Sequence, residues 1–401
     1  MAKIIFLNVP GHGHVNPTLP IVIELLQRGH EVLYYNSADF QEKISKTGAQ
    51  FRGYPHTDLS PGQIAKLANN LFDVTLLLFE ESLRLLPFLL EDLRREQPDV
   101  ILFDSICLWG MQAAKLLDLP HVSSITTLIL EGAKGIIHLR DVPFILRTAL
   151  PRLPKLFKLR RQLVRRYGKT IFPNKDIFPC VGQKNVLFTS PQFQPPTPFI
   201  DGSFTFVGPI IAPETRAEDD FPWQQLHDGT RIYVSLGTIH QNLPFLQTLF
   251  GVFADYPAQF IVSAGRQTDL AALGDVPDNF LLRPYLPQLH ILEKVDLFIT
   301  HGGNNSIHEG LYHGVPLLVV PQQMEQMMNG RLVAKHGAGI VLGDRPPYNS
   351  RQIKAKALQD NVNQLLHTES YRLTAQKLGD SFHETGGCSL AADVIESVAG
   401  C

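Results

Sequence analysis

Short apolar runs alternate with segments in which apolar residues recur at helical spacing. In the first half of the chain the runs predict strands at residues 4–9, 31–35 and 100–103. The helical spacing predicts a helix over residues 19–26, and Gly11 and Gly13 predict a tight turn before it. Strands that alternate with helices favour a parallel sheet covered on both faces.

The same alternation begins again after Pro209, with strands predicted at 231–235, 260–263 and 297–300. The fold class predicted is α/β, with two doubly wound Rossmann-like domains facing each other across a cleft. The expected division is a first domain over 1–207, a polar linker over 208–222, a second domain over 223–383, and a C-terminal helix in 384–401 that packs back on the first domain. In such sheets ligands bind beyond the carboxyl ends of the strands, so the turns after strands should carry the functional residues.

Composition narrows the class of protein. The chain has 401 residues, 44% of them hydrophobic, and a formal net charge of -2. This balance disfavours a dedicated nucleic-acid binder. The four cysteines are scattered, with no zinc spacing, which favours a reducing, cytoplasmic setting. The first residues read as a strand rather than a signal peptide, and no apolar run is long enough to span a bilayer.

Thr300-His301-Gly302-Gly303-Asn304-Asn305-Ser306 follows the strand predicted at 297–300 and precedes a helical segment. Small residues at a helix N-terminus form an anion site, because backbone N–H groups are unpaired there. His301 and Ser306 add donors suited to a diphosphate, and Glu309, one turn on, can accept hydrogen bonds from a ribose diol. The alternative is an ordinary strand–turn–helix connection with a cap.

Pro10-Gly11-His12-Gly13-His14-Val15-Asn16-Pro17 follows the first strand, which places two histidines where a ligand would bind. A metal site is disfavoured because no third ligand stands at a usual spacing. Asp104, directly after the strand at 100–103, should project at the same edge. A turn histidine that only packs, and an aspartate that only caps the next helix, remain the alternatives.

Residues 283–329 resemble the donor signature of UDP-dependent glycosyltransferases with the GT-B fold, most closely the bacterial macrolide-type enzymes. Tyr285-Leu286-Pro287-Gln288 stands where the family has Trp-x-Pro-Gln, so the ring expected to stack on uracil is smaller here. The resemblance covers nearly the whole chain and is weak between about residues 132 and 180. It implies a set of donor-binding residues: Ser235, Gly237, Thr238, Tyr285, Leu286, Gln288, His301, Gly303, Asn304, Asn305, Ser306, Glu309, Glu325 and Gln326.

The resemblance also implies a mechanism. His14 would be the general base, with His12 as second choice, and Asp104 would orient it. The expected reaction is metal-independent, inverting transfer of a sugar from a UDP-sugar, a co-substrate rather than a cofactor, to a hydroxyl of an apolar natural product. Glu309 favours UDP over a deoxyribose donor. Gln326 matches the residue typical of relatives that use glucose.

The segment between residues 140 and 169 is rich in cations. It holds Arg140, Arg147, Arg152, Lys155, Lys158, Arg160, Arg161, Arg165, Arg166 and Lys169, and Asp141 is its only acid. It is interpreted either as a surface that touches anionic membrane or as helices that roof an acceptor pocket, and the prolines favour the second. The predicted acceptor contacts are Phe72, Leu76, Phe79 and Trp109.

Two rival functions share this pattern. A UDP-sugar epimerase or hydrolase would need the donor site but no acceptor base, which the placement of His14 and Asp104 disfavours. A non-catalytic partner protein of a glycosyltransferase should have lost donor residues, yet those named above are all present.

Overall fold

The structure is a computed structural model. It describes all residues except 56, 58, 61, 64–66, 68–69, 131–135, 173–177, 214–220, 238–242, 266–267, 349 and 351–352. The chain forms two compact units. The first comprises Met1–Ala133, Ile145–Ile210 and Thr385–Cys401, and the second Lys134–Phe144 and Ile211–Glu384.

All strand pairs within the described ranges are parallel. The strands of the first unit are β1 (Lys3–Leu7), β2 (Glu31–Asn36), β3 (Gln50–Gly53), β4 (Val100–Asp104), β5 (His121–Ile125), β6 (Lys184–Leu187) and β7 (Phe204–Phe206). They form one sheet in the order β3-β2-β1-β4-β5-β6-β7. The strands of the second unit are β8 (Arg231–Ser235), β9 (Gln259–Ser263), β10 (Phe280–Arg283), β11 (Leu297–Thr300), β12 (Leu317–Val319) and β13 (Gly339–Val341). Their order is β10-β9-β8-β11-β12-β13.

The helices connect these strands. In chain order they are α1 (His12–Val15), α2 (Leu19–Gln27), α3 (Gln41–Ser45), α4 (Leu71–Glu96), α5 (Leu108–Leu116), α6 (Val142–Ala149), α7 (Leu153–Tyr167), α8 (Leu243–Phe253), α9 (Gln288–Leu292), α10 (Asn304–Tyr312), α11 (Met324–His336), α12 (Ala355–His367), α13 (Glu369–His383) and α14 (Gly387–Ala399). No described helix is long and apolar enough to cross a membrane.

The first sheet is buried on both faces, as alternation along its strands requires. In β1, Ile5 and Leu7 belong to the core beneath α4, α5 and α7. Ile4 and Phe6 belong to the opposite core, shared with α2 and α14. The strand β1 is therefore apolar at consecutive positions because helices cover both faces of the sheet.

The last helix of the chain, α14, is part of the first unit. Arg28, at the end of α2, bonds to Asp393 at 2.6 Å and to Glu396 at 2.8 Å. His30 Nε2 lies 2.8 Å from the Glu396 carboxylate. These ion pairs add to the packing of Ala391 and Ile395 in the core.

The predicted fold class, two parallel-sheet Rossmann-like domains, is confirmed. One stretch differs from the expected division, because residues 134–144 group with the second unit although they lie within 1–207. Asp141 accounts for this grouping: its buried carboxylate bonds to Arg331 of α11 and to the Tyr348 hydroxyl. The expected linker, 208–222, includes residues 214–220, which lie outside the described part.

Candidate active site

The first unit brings candidate residues together where its strand order reverses. β1 and β4 are neighbours, although the chain leaves them in opposite directions across the sheet. In doubly wound sheets this reversal opens a crevice at the carboxyl ends of the strands. His14 lies in the short helix after β1, and Asp104 is the last residue of β4.

His14 and Asp104 are joined directly. Nδ1 of His14 lies 2.9 Å from Oδ2 of Asp104, which is fully buried. The second carboxylate oxygen of Asp104 accepts a hydrogen bond from the backbone N–H of Ile106 at 2.9 Å. Asp104 thus both caps the following turn and contacts the imidazole, so the two interpretations of this residue are compatible.

A third group completes the arrangement. The hydroxyl of Thr126, directly after β5, lies 2.8 Å from Nδ1 of His14 and donates to Oδ2 of Asp104 at 2.9 Å. Sequence reasoning missed Thr126. The signal that could have found it is the one used for Asp104, a polar residue directly after a buried strand. For Thr126 this strand is β5, the neighbour of β4 in the sheet.

Hydrogen bonds from a buried polar side chain fix the turn that carries His14. The side-chain amide of Asn8 donates to the His14 carbonyl at 3.0 Å and to the Tyr34 hydroxyl at 2.8 Å. Gly11 keeps the turn open, because a Cβ there would lie 3.0 Å from the His14 ring. His12, the second choice as base, is exposed and packs edge-on against Phe40 with ring centroids 5.0 Å apart.

The second unit repeats this topology. β8 and β11 are neighbours at the reversal of its strand order, and α10 begins directly after β11. Gly303 is the N-cap residue of α10 and has no side chain with which to cap the helix. The first-turn N–H groups of α10 therefore form the kind of N-terminus that binds anions.

His301 lies between two glycines. A Cβ on Gly303 would lie 2.5 Å from Nε2 of His301, and a Cβ on Gly237 would lie 3.1 Å from its Cε1. Gly302 is also required, because its φ of +86° is left-handed and a Cβ there would meet Val319 at 2.6 Å. The Gly-Gly pair thus lets the His301 ring and the backbone approach each other.

Three predicted donor residues form one network. The amide nitrogen of Gln288, the first residue of α9, donates to the Glu309 carboxylate and lies 3.4 Å from the Ser306 hydroxyl. The Tyr233 hydroxyl donates to the Gln288 oxygen at 3.3 Å. Tyr233 lies within β8 and was not predicted, since a buried strand tyrosine carries no sequence signal that separates it from core.

Comparison with known proteins decides the family. The C-terminal domain of erythromycin biosynthesis protein CIII-like proteins matches residues 248–386. The chain is 30% identical to the uncharacterized UDP-glucosyltransferase YojK of Bacillus subtilis (strain 168), over 99% of this chain and 98% of that protein. This chain belongs to the GT-B glycosyltransferase family. Identity is also 30% to the NDP-glycosyltransferase YjiC of the same organism, over 98% of this chain and 96% of that protein.

The fold of this glycosyltransferase agrees with that assignment. The crystal structure of the glycotransferase of kitacinnamycin superposes with a TM-score of 0.81 at 26% identity, covering 99% of this chain and 98% of that chain. The predicted family and the prediction of an enzyme are confirmed, and the protein is a glycosyltransferase of the macrolide and natural-product type. The hypothesis of a non-catalytic partner is not supported.

The other predicted donor residues of the glycosyltransferase have varied surroundings. Ser235 ends β8 and is nearly buried, and Tyr285 is half-buried beyond β10. Leu286 and Gln326 are buried, and Oε1 of Gln326 accepts from the Gln322 N–H at 2.8 Å. Asn304 and Asn305 are half-buried in the first turn of α10, and Glu325 is exposed in that of α11. Thr238 lies outside the described residues.

Three of the four predicted acceptor residues are core residues of the glycosyltransferase. Phe79 and Trp109 have no exposed surface, and Leu76 is buried beside them. Phe79 stacks on Phe172 with ring centroids 5.5 Å apart. Side chains enclosed in this way have no surface to offer a substrate, so the apolar spacing of α4 and α5 reflects core packing. Phe72, in the first turn of α4, is half-buried.

Proposed function

We propose that this glycosyltransferase transfers a sugar, preferably glucose, from a UDP-sugar to a hydroxyl of an apolar small molecule. The proposed transfer inverts the anomeric centre and needs no metal ion. The observation that carries the proposal is the contact of 2.9 Å between Nδ1 of His14 and the buried carboxylate of Asp104. A histidine oriented by a carboxylate is a general base for an alcohol.

The hydrogen bonds around His14 support one tautomer of the proposed base. Asp104 has no proton to give when ionised, so Nδ1 of His14 carries the hydrogen and donates it to Oδ2. The Thr126 hydroxyl donates to the same oxygen. With Nδ1 protonated, Nε2 is the basic atom of the ring. It takes the proton of the acceptor hydroxyl, and the buried carboxylate stabilises the imidazolium that forms.

The leaving group is proposed to bind at the start of α10. As the acceptor oxygen attacks the anomeric carbon, the bond to UDP breaks and negative charge grows on the diphosphate. The N–H groups of the first turn of α10, with His301 and Ser306, stabilise that charge. A single displacement converts an α-linked donor into a β-glycoside. A divalent ion is not required in this scheme, because helix and side-chain donors meet the charge.

Nucleoside choice is proposed to rest on Glu309. Its carboxylate is almost fully buried and receives the Gln288 amide, which orients it. A ribose offers this carboxylate two hydroxyls and a deoxyribose one. One lost hydrogen bond is worth about 1 kcal/mol, or roughly a fivefold preference for UDP. The similarity to the UDP-glucosyltransferase YojK supports the same donor.

The proposed acceptor is a hydroxylated, largely apolar natural product. Two comparisons support this class of acceptor. They are the match to the C-terminal domain of erythromycin biosynthesis protein CIII-like proteins and the similarity to the glycotransferase of kitacinnamycin. The scattered cysteines, with no zinc spacing, support a cytoplasmic location.

The proposal is tested by mass spectrometry of products. UDP-glucose, UDP-galactose and dTDP-glucose are each incubated with a panel of phenolic, terpenoid and macrolide acceptors, with and without EDTA. We expect a product heavier than the acceptor by one hexose, in a yield that is highest with UDP-glucose and unchanged by EDTA. The NMR spectrum of the product should show an anomeric proton coupling typical of a β-glycoside. The His14→Ala variant serves as the blank.

Three outcomes would contradict the proposal. Conversion of UDP-glucose to another UDP-sugar or to free glucose, with no transfer to any acceptor, would favour an epimerase or hydrolase. An α-glycoside would exclude a single displacement from an α-linked donor. Loss of transfer with EDTA, restored by Mg²⁺, would exclude the metal-independent scheme.

A further inference from the structure

The segment from residue 142 to residue 170 has an extreme charge for this protein. It contains nine Lys or Arg residues and no Asp or Glu, in a chain whose formal net charge is -2. It forms α6, α7 and the turn after each. The proposed chemistry uses none of these side chains.

One face of α7 packs on the body of the first unit. Leu159 and Leu163 are buried in the core beneath α4 and α5. Arg152 pairs with Asp73 at 2.6 Å, and Lys155 pairs with Glu80 at 2.6 Å, so both cations are neutralised by α4. These contacts fix α7 to the unit and decide which face it turns to solvent.

The opposite face of α7 is cationic. Lys158, Arg161 and Arg165 recur at helical spacing, all three are exposed, and none forms an ion pair with a described residue. Arg147 of α6 is exposed as well. Unpaired cations on one side of a fixed helix form a positive surface that selects an anionic partner.

Large apolar side chains are exposed in the same segment as these cations. Phe157 is 64% exposed, Leu150 is 57% exposed and Leu146 is 50% exposed. Helices that roof an acceptor pocket would turn such side chains inward. Apolar and cationic side chains exposed together are the pattern of a surface that enters the headgroup region of a membrane.

We propose that α6 and α7 dock on an anionic lipid bilayer, with Leu146, Leu150 and Phe157 entering the headgroup boundary and Lys158, Arg161 and Arg165 contacting lipid phosphates. Nucleic acid matches the charge but not the exposed leucines, which would gain nothing from a phosphate backbone. The proposal does not depend on the sugar donor or on His14.

Vesicle flotation tests the proposal. The whole protein is mixed with vesicles of phosphatidylcholine alone or with one-third phosphatidylglycerol, at 0.05 M and 0.5 M NaCl. We expect the protein to float only with anionic vesicles, and the higher salt to release most of it. Two cations near the anionic surface are lost in R161E/R165E, so the partition coefficient of this variant should fall roughly thirtyfold or more.

Matched variants separate this surface from net charge. K356E/K377E makes the same change in net charge on exposed residues of α12 and α13, and should bind vesicles like the wild type. L150S/F157S keeps every charge and should still bind more weakly than the wild type. Thermal unfolding and transfer to a water-soluble acceptor, both unchanged in R161E/R165E, would show that the fold and the chemistry are intact.

The proposal would be overturned if the protein did not float with anionic vesicles at 0.05 M salt, or floated equally with neutral ones. It would also be overturned if K356E/K377E lowered binding as much as R161E/R165E. Tighter binding to duplex DNA or RNA than to anionic vesicles at the same salt would assign the surface to nucleic acid instead.

Discussion

At the scale of single residues, the orientation of the proposed base, His14, depends on one carboxylate oxygen of Asp104. Oδ2 of Asp104 receives both the His14 ring and the Thr126 hydroxyl, and that hydroxyl also touches Nδ1. Thr126 therefore limits the rotation of the imidazole without contacting the reacting atoms. It is a positioning residue in the proposed mechanism.

Replacing Thr126 with valine keeps its shape and removes the hydroxyl. We expect kcat to fall about tenfold or more, since one hydrogen bond to a charged group is lost. The acidic limb of the kcat/KM profile should also move to higher pH, because the Asp104 carboxylate has one donor fewer and holds the protonated His14 ring more strongly. Thr126→Ser should restore both quantities. Steady-state kinetics across pH checks this, and a valine variant with an unaltered rate and profile would exclude the role.

His308 introduces a pH dependence of stability. It is buried in α10, its Nδ1 bonds to the Asn304 carbonyl at 2.8 Å, and burial lowers its pKa to about 4. Between this value and the unfolded value of about 6.5 the unfolded chain binds a proton that the folded chain does not. Stability from this group is therefore present above pH 6.5 and is lost as pH falls towards 4.

The expected size of the loss is about 3 kcal/mol, at 1.36 kcal/mol per pKa unit. His308→Gln should remove this component and flatten the dependence of the unfolding free energy on pH between 6.5 and 4. Urea denaturation at several pH values measures it. The same slope in wild type and variant would show that His308 is not a buried neutral group.

At the scale of elements, strands and their turns were predictable. The apolar runs located β1, β4, β8 and β11. His14, Asp104 and the glycine turn of α10 lie at or beyond the carboxyl ends of β1, β4 and β11. The strand predictions succeed because a parallel strand buried on both faces is continuously apolar. The placing of ligand contacts at the carboxyl ends of these strands stays a prediction.

Helix faces were less predictable. Phe79 and Trp109 were expected at an acceptor and are core residues, because an apolar stripe looks the same whether it faces a sheet or a ligand. Tyr233 was missed for a related reason: its ring stacks on Phe298 in the core while its hydroxyl reaches Gln288. Only the three-dimensional packing distinguishes the two ends of such a side chain.

Gln112 of α5 gives a test of packing at this scale. It is fully buried, and neither its amide nitrogen nor its oxygen has a hydrogen-bond partner among the described residues. Burying such a group costs roughly 1–3 kcal/mol. Gln112→Met, of similar shape, is expected to raise the free energy of unfolding by about 1 kcal/mol or more in chemical denaturation. A variant that is less stable would show that the amide is satisfied in solution.

At the scale of the whole molecule, the chain does not divide at one point. Between β5 and β6 of the first sheet, the described residues 136–144 belong to the second unit. Burial opposes the ionised form of Asp141, but hydrogen bonds from Arg331 and from the His138 N–H outweigh it and lower its pKa. Sequence spacing could not reveal this, because the partners stand 190 positions apart.

Breaking the Arg331–Asp141 ion pair is expected to lower the free energy of unfolding far more than replacing both residues with apolar ones. Arg331→Met leaves the Asp141 carboxylate buried without its cation and should lower the free energy of unfolding by about 3–5 kcal/mol. The double variant Asp141→Leu/Arg331→Met should recover most of that loss. Urea denaturation of the two variants measures the difference, and equal losses in both would show that shape rather than charge matters there.

The central claim is that His14 removes the proton of the acceptor. The most direct measurement is kcat/KM of wild type and His14→Ala on two matched acceptors, one an aliphatic alcohol and the other an acidic phenol already ionised at the assay pH. An ionised nucleophile needs no base. We predict a loss of about 10²–10⁴-fold with the alcohol and a much smaller loss with the phenolate. Equal losses on both acceptors, or none on the alcohol, would contradict the account.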